Sequence, residues 1–148
     1  MKRCLRTLSR SLLAASSLVA LSGNGLSSSI TVEFANVRSE RGMLHLCLTK
    51  NPSHFPDCEA DADAVKATIR ASVREVSLPA IEAGSYALAV IHDENGNGRL
   101  DTTLGIPNEG FGFSRNPAIG FGAPSFERAR FPVEAGGSLQ LVRLRYLL

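Results

Sequence analysis

Ser85-Tyr-Ala-Leu-Ala-Val-Ile-His92 runs without a break into Asp93-Glu-Asn-Gly-Asn-Gly-Arg-Leu-Asp101. In the first half, Tyr86, Leu88, Val90 and His92 fall on one side of an extended chain, and Ala87, Ala89 and Ile91 on the other. Small or apolar residues on both sides mark a strand covered on both faces, which belongs at the centre of a sheet. In the second half, side-chain oxygens recur at alternate positions around two glycines, the composition of a tight turn. The chain is therefore read as a β-domain built around one central strand that opens directly into a polar loop.

Outward from this stretch the period-two pattern recurs. Ile30, Val32 and Phe34 alternate with Thr31, Glu33 and Ala35, and Leu44, Leu46 and Leu48 alternate with Met43, His45 and Cys47. The polar Arg38-Ser-Glu-Arg-Gly42 between them predicts a hairpin. Val65, Ala67, Ile69 and Ala71 alternate with Lys66, Thr68 and Arg70, which favours strand over helix, and Val73 to Leu78 reads as another strand. Pro79 to Gly84 reads as a turn. Arg130 to Val133 and Ser138 to Tyr146 flank the Gly136-Gly137 turn; Leu139, Leu141, Leu144 and Tyr146 are taken as the apolar face of the last strand, with a slip at Val142 that suggests a bulge. About seven short strands with almost no helix predict a single all-β sandwich over residues 30–148.

Residues 1–29 are read as a signal peptide and its cleavage region. Lys2, Arg3, Arg6 and Arg10 precede the apolar Ser11 to Leu21, which is too short to span a bilayer as a helix. Cys4 lies ahead of the apolar run, so it is not a lipid-bearing cysteine. The expected locations are the periplasm, the cell surface or the medium. Removing the four basic groups from 16 leaves 12 against 14 acidic ones, a net −2. The mature domain therefore gives no electrostatic case for nucleic acid and carries no transmembrane span. In an oxidising compartment Cys47 and Cys58 are expected to pair, a bridge worth roughly 3 kcal/mol in the chain-entropy model.

The polar loop follows D-x-N-x-N-G-x-x-D. Asp93, Asn95, Asn97 and Asp101 occupy alternating ligand positions of a calcium loop, with Gly98 at the sharp turn and Arg99 offering its carbonyl oxygen. A hard cation needs six or more oxygens, and alternate residues around a tight turn can supply them. The closing bidentate carboxylate is missing, because Leu104 stands there. Glu109 or Glu94 would have to complete the shell, and millimolar affinity is expected. The competing reading is an Asx-capped turn without metal.

A long Gly/Pro/Phe-rich loop follows, with two Gly-Phe-Gly pieces at 110–112 and 120–122. Phe111, Phe113, Phe121 and Phe126 either pack into a small core of their own or form an aromatic patch for a glycan, peptide or envelope protein. Catalytic motifs are absent. His92 is the sole general-base candidate, with Ser114 or Ser125 as the nucleophile it would activate.

The segments 83–90, 92–102, 104–114 and 121–131 together resemble DUF2141, a family of exported bacterial proteins of unknown function, and the likeness extends over about residues 30–146. The resemblance carries no catalytic residues. A looser likeness links the Gly84-Ser-Tyr-Ala-Leu-Ala-Val90 strand to prealbumin-like and Ig-like sandwiches, some of which bind calcium structurally. Three readings follow: an exported, non-enzymatic binding module, with calcium as its only cofactor candidate; a small envelope hydrolase centred on His92; and a purely structural domain with a self-packed loop.

Overall fold

The computed structural model describes residues 28–148. The expected signal peptide lies outside the described residues, except that Ser28 and Ser29 are already strand. In chain order the strands are β1 (Ser28–Ala35), β2 (Met43–Thr49), β3 (Val65–Arg70), β4 (Glu75–Ile81) and β5 (Gly84–Asp93). Then come the two-residue β6 (Thr102–Thr103) and β7 (Ile106–Pro107), β8 (Gly110–Phe113), the single-turn helix α1 (Phe126–Ala129), β9 (Phe131–Val133) and β10 (Ser138–Arg143).

One sheet has the order β10-β1-β4, and the other β3-β2-β5-β8, with β9 beside the start of β5. The architecture is all-β and sandwich-like. The core lies between the two sheets and collects Ile30, Val32 and Phe34 from β1, Leu44, Leu46 and Leu48 from β2, and Tyr86, Leu88 and Val90 from β5. The expected central strand is central: β5 is paired with β2 on one side and with β8 and β9 on the other. The strand assignment of residues 65–70 also holds.

Three expectations are corrected. The first two strands do not form a hairpin: β1 pairs with β10 and β4, whereas β2 pairs with β3 and β5. Two strands with one apolar face each can lie side by side or face one another across a core. The connection through residues 36–42, with positive φ at Asn36 and Gly42, carries the chain from one sheet to the other. Pro79 is not in a turn but inside β4. This strand is an edge with β1 as its ladder partner, so the missing N–H is tolerated, and the extra residue between Leu78 and Ile81 makes a bulge at Ala80 (φ 59°).

The third correction concerns β10, where Leu139 and Leu141 turn outward against expectation, while Leu144, beyond the strand's end, is buried as expected. Val142 and Leu144 are fully buried, whereas Leu139 and Leu141 are exposed. The parallel register decides this. Phe34 stands opposite Val142 and points into the core, while Thr31 and Glu33, which point out, stand opposite Leu139 and Leu141. No bulge is needed.

The two sheets are stitched where β8 meets the chain beyond β10: Phe111 and Arg145 exchange backbone hydrogen bonds at 3.0 and 2.8 Å. This close approach explains the first Gly-Phe-Gly. A Cβ on Gly110 would collide with the Tyr146 ring, and one on Gly112 would lie 2.7 Å from Val142 Cγ1. Truncating Leu144 to alanine should therefore cost about 2–5 kcal/mol, whereas Leu139→Ala should stay within about 0.5 kcal/mol of wild type. Urea unfolding of the two variants checks the face assignment.

Candidate functional site

The polar loop closes on itself. Asp93, the last residue of β5, is fully buried, and its carboxylate accepts from the N–H groups of Gly96 (2.7 Å), Asn97 (3.1 Å) and Gly98 (2.7 Å), and from His45 Nε2 (3.0 Å). The Asn95 and Asn97 Oδ1 atoms each accept from the N–H two residues on, at 3.0 Å. Their Nδ2 groups both donate to Asp101 Oδ2, at 2.6 and 2.8 Å. Glu109 joins the loop's two ends by accepting from Glu94 N–H (2.9 Å) and Asp101 N–H (3.1 Å).

Calcium would need oxygens from Asp93, Asn95, Asn97 and Asp101, with the Arg99 carbonyl, turned to one centre. Here amide N–H groups converge on Asp101, and the Asp93 oxygens are engaged by backbone donors. As arranged, the set is a hydrogen-bonded frame closed by the loop's own N–H groups. Among the described residues, no group of three or more His, Cys, Asp or Glu is placed to hold a metal ion.

Burial by itself pushes the Asp93 carboxyl up, but the N–H donors of Gly98, Gly96 and Asn97 and the His45 ring together hold it below its ordinary value. Asp101 is held low by Asn95, then by Asn97 and Arg99. Glu94 is held low chiefly by Arg38, with Ser39 adding a hydrogen bond.

Arg38 ties the loop's base to the rest of the molecule. It pairs with Glu94 (2.5 Å), donates to the carbonyls of Asn108 (2.9 Å) and Leu148 (2.8 Å), and stacks 4.4 Å above the Tyr146 ring. Tyr146 Oη is 2.8 Å from Nδ1 of the fully buried His92, whose Nε2 lies 2.9 Å from the Arg41 carbonyl. With both ring nitrogens in hydrogen bonds, His92 is part of a structural tie. The structure does not bring it together with its supposed nucleophiles. Ser114 is buried and bonds to the backbone of Leu88 and Ala129, and Ser125 precedes α1 at the surface.

The outer face of β5 carries a second core. Phe111, Phe113 and Phe126 pack with Ala87, Ala89 and Ala129, and Phe55 meets Phe113 and Phe126 edge-on at 5.8 and 6.1 Å. Three of the four expected aromatic-patch residues are therefore buried among themselves. Phe121 is fully exposed.

Beside this core opens an apolar cleft of about 950 Å³. Its floor is the outer face of the second sheet, with Ala89, Ile91 and the Cys47–Cys58 disulfide (Cα–Cα 5.7 Å). Leu100, Ile106, Pro107, Ile119 and Phe121 are among the residues that line it. Sequence reading singled out Phe121 but missed Leu100, Ile106, Pro107 and Ile119, which come from short segments without periodicity. The clue was present in Ala87 and Ala89, small residues that leave room above the central strand.

Residues 32–140 match a family described as an uncharacterized protein conserved in bacteria (DUF2141). No curated protein and no solved structure matches the chain. No helix among the described residues is long and apolar enough to cross a membrane.

The frame around Asp93 has a pH signature. Because Asp93, Glu94 and Asp101 all have lowered folded pKa values, their stabilisation is fully present above the unfolded value near about pH 4. It is lost as pH falls through the lower folded values. Asp93→Ala should cost about 1–3 kcal/mol at neutral pH by orphaning the loop N–H groups, and should flatten the loss of stability on acidification. Urea titrations at a series of pH values measure both effects.

Proposed function

The chain belongs to the DUF2141 family of bacterial proteins, and from that premise we propose that it is an exported, non-enzymatic binding module of Ig-like or prealbumin-like build. Its cleft on the outer face of β5 takes an apolar group. One observation carries the reading: a concave site of about 950 Å³ whose walls are Leu100, Ile106, Pro107, Ile119 and Phe121. Clefts of this size, mostly apolar with a few polar side chains at the edge, are where ligands are held. The disulfide across the floor suits an oxidising compartment and agrees with export.

The Asp93 frame is the rigid side of the site. Gly98, Arg99 and Leu100 leave the frame to line the cleft, so every hydrogen bond that fixes the loop also fixes that wall. The reading as a purely structural domain accounts for Phe111, Phe113 and Phe126, but not for an open cleft beside them. The hydrolase reading loses its support because His92 and the serines sit apart with their own partners.

Dilute protein should bind the apolar fluorophore 1-anilinonaphthalene-8-sulfonate saturably at the cleft. Ile106→Asp, which places a charge on an already exposed wall position, should weaken it about tenfold, equivalent to ~1.4 kcal/mol. Unchanged binding in this variant would remove the cleft as the site. A melt in EDTA and in calcium up to about 10 mM should give one melting temperature, because the Asp93 frame is closed by its own donors. A calcium-dependent rise that Asp93→Ala abolishes would instead assign a cation to the loop.

A further inference from the structure

The net −2 of residues 30–148 is unevenly divided. Residues 30–109 carry 7 basic and 12 acidic side chains, a net −5, whereas residues 110–148 carry five arginines against Glu127 and Glu134, a net +3. Three of those arginines are gathered around one loop. Arg145 Nη2 donates to the Pro117 carbonyl (3.2 Å) and Arg128 Nη2 to the next carbonyl, that of Ala118 (2.6 Å). Arg115, from the loop itself, reaches the Arg130 carbonyl at 3.0 Å. Among the described residues Arg130 has the Glu127 carboxylate at 2.9 Å, but no carboxylate lies within 4 Å of Arg115, Arg128 or Arg145. A guanidinium carries several N–H donors, so one carbonyl leaves most of them free for an anion.

The loop is fixed in place. Asn116 donates to the Leu141 carbonyl and accepts from the Arg143 N–H, both at 2.7 Å. These bonds hold Arg115 and Asn116 at φ 61° and 47°, a conformation that non-glycine residues keep only where their surroundings enforce it. Three residues beyond Ala118, a reach of at most ~11 Å, stands the fully exposed Phe121. It sits between Gly120 and Gly122, neither of which has an atom within 4 Å of where a Cβ would be, and Gly122 has φ +82°. The ring therefore stands on a narrow tip free of packing, next to cations that have no counter-charge.

We propose that this loop docks the protein on an anionic lipid surface, with Arg115, Arg128 and Arg145 against headgroup phosphates and the Phe121 ring in the boundary between headgroups and acyl chains. The docking is independent of what the cleft holds. Charge complementarity selects the surface: the guanidinium fork matches phosphate oxygens in pairs, and anionic lipid presents phosphates in a plane that several arginines engage together. The apolar ring selects lipid over an acidic protein. A folded partner has to offer a pocket shaped to Phe121, whereas a fluid boundary accepts a ring on a free tip without one. One ring and three cations give reversible binding, because stable anchoring takes a larger apolar insertion.

Co-sedimentation of the protein, as recovered from an expressing bacterium, with large vesicles tests the proposal. It should pellet with vesicles of phosphatidylcholine and phosphatidylglycerol in equal parts, weakly with phosphatidylcholine alone, and less as salt is raised. Arg128→Gln and Arg145→Gln should each weaken binding about fivefold, whereas Arg70→Gln, an equal charge change on the exposed far strand β3, should bind like wild type. The chain has no tryptophan, so Phe121→Trp, at a position free of packing, places a single reporter in an unchanged fold. Its emission should shift to the blue when the anionic vesicles are added. Equal binding to both kinds of vesicle, arginine variants that bind like wild type, or an unmoved tryptophan spectrum overturns the proposal. Full displacement by inorganic phosphate at the concentration of the lipid phosphate also overturns it, by assigning the arginines to a free anion.

Discussion

The molecule depends on β5 being covered on both faces. Inward, Tyr86, Leu88 and Val90 meet the side chains of the other sheet. Outward, Ala87 and Ala89 leave room for Phe111, Phe113 and Phe126 to lie across the strand. A strand buried on one side would present a solvated face and leave the long loop nothing to pack on. Here the loop returns as β8, pairs with the same strand it left, and turns its phenylalanines onto that strand's outer surface. The cleft is what remains of this face where the aromatic cover stops.

The end of β5 sets the other boundary. Asp93 gathers three backbone N–H groups and a histidine around one buried carboxylate, and such charge-assisted bonds are the stronger class. Arg38 then links Glu94, the Asn108 carbonyl and the C-terminal segment through Leu148 and Tyr146. The Arg38–Glu94 pair is partly exposed, so screening by water limits its worth as an isolated ion pair. Its value is geometric: one guanidinium fixes segments that are far apart in sequence, and the polar loop leaves the sheet in a set direction.

Much of this was legible in the sequence. The double-faced pattern of residues 85–92 located the central strand, alternation located β2 and β3, and compartment plus parity located the Cys47–Cys58 bridge. Which strands pair was not legible, because Ile30, Val32 and Phe34 satisfy a core equally well beside Leu44, Leu46 and Leu48 or across from them. The face of β10 was misread for a related reason. Leu139 and Leu141 are more hydrophobic than Gln140, yet the register with β1 turns them outward. At the polar loop, the D-x-N-x-N-G spacing located the turn correctly. Spacing alone does not say whether the oxygens meet a cation or the loop's own N–H groups, since both need the same residues at the same intervals.

The two Gly-Phe-Gly tripeptides make that limit concrete. At 110–112 the glycines exist because a neighbour leaves no room for a side chain: the Tyr146 ring presses on one and Val142 on the other, and Phe111 is driven to the opposite, covered face. At 120–122 the glycines have open space around them and serve a free turn, and Phe121 has nothing above it. Identical composition thus gives one ring that completes a core and one that stands in water. The difference lies in whether a strand comes back to receive the ring. β8 is received by β5, whereas the second tripeptide runs alongside the cleft without joining a ladder. Burial here is a property of the pairing partner, and an unpaired copy of the same motif has one fully exposed aromatic ring to offer another surface.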